Sequence, residues 1–210
     1  MTIKREAAPG RPSGPVRGYT LVELLATLCI AGVVATVALP SFSDLARNER
    51  RTAVVSRLTA TLLLARSEAL KRGGRPLLIC GVADRDGDGR LAGAELACTG
   101  YDWSQGWMLA AWADTDGNGT VAPAEVQPVR VFQTEAGGRL TVIAGNFTAS
   151  PPVRPAGTLL FKSFGRRTSN GTITICDARG PAEARGVIVS SLGRARVSAR
   201  RSDGTPLRCP

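Results

Sequence analysis

The chain has 210 residues, with 27 Lys and Arg against 17 Asp and Glu, a formal net charge of +10 and no histidine. The length predicts one domain with appendages, and an apolar content of 43% argues against global disorder. Without histidine the chain forms no Ser-His-Asp triad, no Cys-His dyad and no histidine-based metal site. The composition therefore favours binding over catalysis. A basic balance is common on solvated surfaces and also suits a polyanionic partner.

The amino-terminal segment combines a basic leader with an apolar run. Residues 1–18 carry four basic residues and one acid, with several Pro and Gly, so no stable helix is predicted there. Residues 19–39 contain one charged residue, Glu23, and as a helix they would span about 31 Å, close to one hydrocarbon core. The leader predicts a cytoplasmic N-terminus and an external C-terminus. A plain signal anchor and a cleaved secretory signal remain alternatives.

Glu23 is unusual inside such a run, because a carboxylate in the bilayer costs about 2.5–3.5 kcal/mol on insertion scales. Residues 18–25, GYTLVELL, resemble the processing motif of type IV prepilins and type II secretion pseudopilins. The resemblance implies that prepilin peptidase cuts after Gly18 and that Tyr19, in place of the usual Phe, becomes N-methylated. It also implies that Glu23 neutralises the terminal amine of a neighbouring subunit during assembly. The implied location is the bacterial inner membrane, with a single pass and a periplasmic C-terminal domain.

The helical pattern continues through residues 40–74. Apolar residues recur at spacings of three and four from Phe42 to Leu70, and Gly73 and Gly74 end the pattern. We predict one long helix, with residues 19–39 in the membrane or filament core and residues 40–74 as its amphipathic continuation.

Residues 75–210 are predicted to form a β-rich periplasmic domain. Gly and Pro separate eight candidate strands, at residues 76–82, 106–113, 127–133, 139–144, 158–163, 172–177, 186–190 and 194–199. A long helix followed by short strands predicts an α+β, pilin-like fold in which the helix packs on an antiparallel sheet.

Further motifs narrow the resemblance. Residues 66–72 (RSEALKR), a strand ending at Cys80, the WSQGW sequence at residues 103–107 and an Asp/Asn-rich loop are similar to the GspH/FimT group of minor pilins and pseudopilins. This resemblance implies a non-enzymatic subunit of a type IV pilus or a type II secretion pseudopilus, near its tip or initiation complex. The implied partners are other minor pilins or pseudopilins, and no cofactor is required.

The cysteines suit an external, oxidising compartment. Cys29 lies in the apolar run and is interpreted as a small packing residue. The other four allow three disulfide connectivities, and sequence proximity favours Cys80–Cys98 and Cys176–Cys209. A zinc site built from all four thiolates is the alternative, although no C-x2-C spacing supports it.

Two acidic loops carry a calcium hypothesis. Both satisfy D-x-[DN]-x-[DN]-G-x5-E, in which oxygen side chains at alternating positions face one cation and Gly allows the sharp turn. Both follow strand-like runs, so neither is a helix-loop-helix site, and metal-free hairpin turns are the alternative. The second loop is expected to bind Ca²⁺ more tightly, because Arg85 and Arg90 partly neutralise the negative charge of the first loop. The candidate Ca²⁺ ligands are Asp84, Asp86, Asp88 and Glu95 in the first loop and Asp114, Asp116, Asn118 and Glu125 in the second.

The basic C-terminal end carries a partner hypothesis. Residues 193–196, GRAR, are similar to the G-R-x-R motif of FimT-like pilins, which is associated with binding of double-stranded DNA in natural transformation. In a strand, two arginines at this spacing share one face and can straddle neighbouring phosphates. A solvated edge strand whose charge blocks aggregation is the alternative. The candidate DNA-binding residues are Gly193, Arg194, Arg196, Arg200 and Arg201, which Lys162, Arg166 and Arg167 extend if the fold brings them close.

Overall fold

The structure, a computed structural model, describes residues 18–73, 75–93, 96–134, 140–145, 147, 154–162 and 169–210, and the side chains of residues 37–41 lie outside this description. The predicted leader therefore lies outside it except for Gly18. The chain divides into two units, Met1–Leu45 and Ala46–Pro210, which we describe separately.

One long helix, α1, covers Leu21–Lys71. Its start is fixed by Thr20, whose Oγ1 accepts a hydrogen bond from the Glu23 N–H at 3.2 Å, as in the first half of a capping box. Its end follows the prediction, since Gly73 adopts the left-handed φ of 60° that stops a helix. Within the described residues, no helix combines the length and apolar composition needed to cross a membrane. The membrane segment at residues 19–39 stays a prediction.

All eight predicted strands are present in the described part of the chain, with ends that differ by at most two residues. They are β1 Leu77–Gly81, β2 Gly106–Trp112, β3 Val126–Gln133, β4 Leu140–Ala144, β5 Leu159–Phe161, β6 Gly171–Asp177, β7 Arg185–Val189 and β8 Ala195–Ser198. They form two four-stranded sheets, whereas the sequence pattern predicts one. Sheet A has the order β3-β2-β1-β5 and sheet B the order β4-β6-β7-β8, and every pairing is antiparallel.

A short segment before β2 joins the two sheets. The Trp103 N–H donates to the Val142 carbonyl at 2.8 Å, and the Ala144 N–H donates to the Tyr101 carbonyl at 2.8 Å. Gly81 lies against this segment, and a Cβ there would come within 2.4 Å of the Asp102 carbonyl oxygen. The WSQGW sequence thus has a structural role in joining the sheets.

The core forms where the C-terminal part of α1 contacts both sheets. Val55, Leu58, Leu62, Ala65 and Ala69 recur at three- and four-residue spacings, are buried, and share one apolar cluster with strands of both sheets. The α+β prediction, with a long helix packed on antiparallel sheet, is therefore confirmed.

One buried hydrogen bond gives this packing its register. Trp107 Nε1 donates to Thr61 Oγ1 at 3.0 Å. This bond fixes the position of β2 along the axis of α1.

Candidate functional site

The two acidic loops adopt the same backbone conformation. The Gly89 N–H donates to Asp84 Oδ2 at 2.8 Å in the first loop, and the Gly119 N–H donates to Asp114 Oδ2 at 3.0 Å in the second. The glycine at the fourth position has a φ of 77° in the first loop and 70° in the second, which a residue without a Cβ adopts freely. The repeated sequence pattern therefore folds into a repeated local structure.

The carboxylate groups of each loop lie close together. Three groups in each loop have ligand oxygens within 4.8 Å of one another; these are Asp84, Asp86 and Asp88 in the first and Asp114, Asp116 and Glu125 in the second. Asn118 lies beside the second group, and its Nδ2 donates to Asp116 Oδ2 at 2.6 Å. Glu95 lies outside the described residues. At Asp84, burial acts to raise the pKa, but hydrogen bonds from the Gly89 and Gly87 N–H groups outweigh it and hold the pKa below its usual value.

Glu125 closes the second loop from a buried position. Its Oε1 accepts the Thr115 N–H at 2.7 Å and the Thr115 hydroxyl at 2.9 Å. Its Oε2 accepts Trp112 Nε1 at 3.1 Å and the Ala122 N–H at 3.3 Å. These hydrogen bonds, first among them the one from the Thr115 N–H, lower the pKa of Glu125 to about 2. Each oxygen of this predicted ligand is thus already hydrogen-bonded twice.

The low pKa of Glu125 predicts a pH-dependent effect on stability. A carboxyl whose folded pKa is depressed stabilises the fold above its ordinary pKa of about 4.3, and this stabilisation is lost as the pH falls towards the folded value. We expect Glu125→Gln to lower the unfolding temperature at neutral pH, with a difference from the original chain that narrows between pH values of about 4.3 and 2. Circular dichroism melts across this range measure it. The exposed Glu49 provides the control, and an equal, pH-independent loss in Glu49→Gln and Glu125→Gln would contradict the prediction.

The candidate DNA-binding residues lie at the hairpin between β7 and β8. Gly193 has a φ of 71°, and its N–H donates to the Ser190 carbonyl at 2.8 Å, so this glycine is required by the tight turn. Arg194 and Arg196 are both exposed, and their spacing places them on one face of the strand. Within the described residues, neither guanidinium has a hydrogen bond or ion pair.

The other basic candidates have different surroundings. The Arg200 guanidinium donates to the Gly204 carbonyl at 3.1 Å, and Arg201 is half-buried with its N–H on the Thr205 carbonyl at 2.9 Å. These two residues form the hairpin that turns the tail back. Lys162 follows β5 in sheet A, whereas β8 is in sheet B. Arg166 and Arg167 lie outside the described residues.

Both predicted disulfides are present. Cys80 is bonded to Cys98 at 2.07 Å and Cys176 to Cys209 at 2.04 Å, which leaves no thiolates for the four-cysteine zinc alternative. Cys29 is free and exposed, and its interpretation as a packing residue stays a prediction.

The second disulfide fixes the C-terminal tail on sheet B. Leu207 is buried, and it lies so close that a Cβ added at Gly186 would meet its Cδ2 at 2.9 Å. The disulfide and the buried leucine therefore both hold the C-terminal tail against sheet B.

A partly buried polar cluster, which no sequence pattern predicts, joins α1 to the loop between β6 and β7. Arg179 Nη2 donates to Asp177 Oδ2 at 2.6 Å and to Asn48 Oδ1 at 2.8 Å. Arg51 Nη1 lies 3.7 Å from the same carboxylate oxygen and 3.4 Å from Glu183 Oε2, and it also donates to the Glu183 carbonyl. We call these five residues the helix–loop cluster.

Two charged side chains of the helix–loop cluster are almost completely buried. The side chains of Arg51 and Asp177 are 6% and 3% exposed. Because both charges are removed from water, each needs the other to compensate its cost of desolvation. The hydrogen bond from Arg179 is the largest influence that holds the pKa of Asp177 below its usual value. No sequence signal marked this cluster, because Arg51 and Glu183 are 132 positions apart.

The fold and these sites define a pilin-type domain, in which the C-terminal part of a long amino-terminal helix packs against antiparallel sheets. Residues 54–193 match the family model described as type II transport protein GspH. Because the match covers more than half of the chain, the chain belongs to the GspH family. It is a minor pilin or pseudopilin of the GspH/FimT type, a structural subunit that assembles with other pilin-type subunits.

Two solved structures are similar to the chain, both of the type IV minor pilin FimU from Pseudomonas aeruginosa strain PAO1. The crystal form in space group P21 has 21% identity and a TM-score of 0.46 and covers 75% of this chain and 96% of its own. The form in P65 has 19% identity and a TM-score of 0.44, with coverages of 73% and 98%. No curated protein matches the sequence.

Proposed function

We propose that the chain is an inner-membrane prepilin whose mature form begins at Tyr19 and which enters the tip or initiation complex of a type IV pilus or a type II secretion pseudopilus. The observation that supports this is the apolar surface of the first part of α1. Its large apolar residues are each at least 54% exposed; these are Leu21, Val22, Leu24, Leu25, Leu28, Ile30, Val33 and Val34. An exposed apolar surface of this extent requires a cover, which the bilayer supplies before assembly and neighbouring helices supply afterwards.

Glu23 is the second support for this function. It is the acidic residue in the first turn of α1, where the helix dipole favours a negative charge. In the proposed filament this carboxylate meets the terminal amine of a neighbouring subunit, so that neither charge is left alone in an apolar core.

The experiment that tests this function is mass spectrometry of the chain recovered from assembled filaments. We expect a mature chain that starts at N-methylated Tyr19. Gly18→Asp should leave the leader in place, whereas Gly32→Ala, at a position with nothing within 4 Å of an added Cβ, should be processed normally. Glu23→Gln should be processed but absent from filaments. An intact leader on assembled chain would refute the proposal.

A second candidate function is capture of double-stranded DNA for uptake. It is favoured by Arg194 and Arg196, which are exposed and have no ion pair within the part of the chain that the structure describes. The test measures affinity of the full-length chain in detergent for a short duplex at several salt concentrations. Arg194→Ala/Arg196→Ala should weaken binding and reduce the salt slope by about 2. Arg66→Ala/Arg75→Ala removes the same charge from exposed positions elsewhere and should have little effect. Unchanged affinity and slope in the first variant would end this candidate.

We also propose that the second acidic loop binds calcium, supported by the convergence of Asp114, Asp116 and Glu125. Calcium should raise the unfolding temperature of the full-length chain, and Asp114→Ala/Asp116→Ala should remove most of the increase. Asp86→Ala tests the first loop in the same way and should have the smaller effect. If millimolar calcium neither binds to the chain nor raises its unfolding temperature, both loops are excluded as calcium sites.

A further inference from the structure

Within the described residues, two of the four sheet edges are covered by hydrogen bonds and a third is interrupted by a proline and a bulge. At the β3 edge, Pro128 lacks an N–H, and the register with β2 skips Val129. At the β5 edge, Ser169 hydrogen-bonds both the Leu160 carbonyl, at 3.1 Å, and the Leu160 N–H, at 3.3 Å. The β4 edge is paired with residues 101–104.

The fourth edge, β8, is unpaired as far as the described residues are concerned. It has no proline and no register shift, and no hydrogen bond from the described residues reaches its outer side. The Ser190 N–H donates to the Arg194 carbonyl at 2.9 Å, which turns the backbone of Arg194 and Arg196 towards β7. By alternation, the N–H and C=O groups of Ala195 and Val197 point outwards. β8 is therefore a strand with one unused row of hydrogen-bonding groups.

The side chains on and next to β8 determine which kind of strand could pair with its outer edge. Arg196 and Arg194, which directly precedes the strand, lie on one face, and neither guanidinium has a partner among the described residues. Val197, on the other face, is 50% exposed. A strand added beside β8 would present its own side chains alternately to these two faces. Acidic residues would meet the arginines, and apolar residues would meet Val197.

We propose that β8 accepts, by strand addition, an extended segment of a neighbouring filament subunit with alternating acidic and apolar side chains. This inference rests on the proposed assembly function and names its partner chemistry. A second copy of β8 is disfavoured as the occupant, because antiparallel pairing about Val197 sets Arg194 opposite Arg200 of the other copy, and like charges opposite each other destabilise a sheet.

The test uses the full-length chain in detergent and capped peptides about ten residues long. One peptide alternates Glu and Val, and a second has the same composition in two blocks. A third is the alternating peptide with its N–H groups methylated along one edge. Val197→Pro removes an outward N–H without removing a β7 hydrogen bond, and Val197→Thr is the matched control that keeps the N–H.

The inference requires the alternating peptide to bind, with the block and methylated peptides at least about tenfold weaker. Val197→Pro should lose binding, Val197→Thr should keep it, and bound peptide should slow hydrogen exchange at the Val197 amide. The methylated peptide makes the result independent of how Val197→Pro folds. Equal binding of all three peptides, or none, would overturn the inference, as would a DNA duplex that binds through Arg194 and Arg196 where the alternating peptide does not. A chain that enters filaments yet fails these tests leaves the assembly function standing.

Discussion

Replacing Asp177 with alanine is expected to lower the free energy of unfolding of the domain by about 3–5 kcal/mol. This carboxylate is shared by two guanidinium groups, and its loss leaves Arg51 buried with less compensation. Removing one partner of a buried pair costs more than the pair contributes, since the remaining charge stays desolvated. The variant should also free the loop between β6 and β7 from α1.

Glu183 provides the matched control within the same helix–loop cluster. Its side chain is 44% exposed, so Glu183→Ala should cost about 1 kcal/mol or less. Denaturant unfolding of the full-length chain in detergent, followed by tryptophan fluorescence, measures both variants. Equal losses would show that burial does not set the energy of the cluster.

The pH dependence of the Asp177 variant has a defined sign. Because the pKa of Asp177 is held below its usual value, its stabilising effect is complete above about pH 3.9 and disappears as the pH falls through the folded value. The difference between the original chain and Asp177→Ala should therefore narrow on acidification.

The second large effect is expected from removing the Cys176–Cys209 bridge. It joins residues separated by 33 positions, and closing a loop of that size limits the unfolded chain enough to stabilise the fold by about 4 kcal/mol in the chain-entropy description. We expect Cys176→Ala/Cys209→Ala to lose about this amount. We also expect faster hydrogen exchange around Leu207, because the tail would be released from Gly186.

Two further variants bracket this result. Cys80→Ala/Cys98→Ala opens a loop with a separation of 18 and should cost about 3 kcal/mol. Cys29→Ala changes a free, exposed residue and should leave the midpoint of denaturant unfolding where it was. A loss in Cys29→Ala comparable with that in the Cys176 variant would contradict the assignment of stability to the bridge.

Local patterns predicted much of the fold. Helical spacing from Phe42 to Leu70 with terminal glycines predicted the end of α1, and Gly and Pro between short candidate segments predicted the strands. Sequence proximity was enough for both disulfides, because each joins the nearest available partner.

The division into two sheets was not predictable in this way. Whether β5 pairs with β1 or with β6 depends on contacts between distant segments, and a single sequence carries no local signal for that choice. The helix–loop cluster was missed for the same reason, since Asn48 and Arg179 are 131 positions apart. At Glu125 the pattern found the residue, but the four donors around its carboxylate depend on the folded loop.

The position of Thr20 has a consequence for how a precursor becomes a subunit. The residue that caps α1 lies on the mature side of the proposed cleavage bond, and so does Glu23, whose N–H it binds. Removal of residues 1–18 would therefore leave the hydrogen bond between Thr20 and the Glu23 N–H in place. The peptidase would release a terminus that is already folded, and the precursor and the subunit would share one helix start.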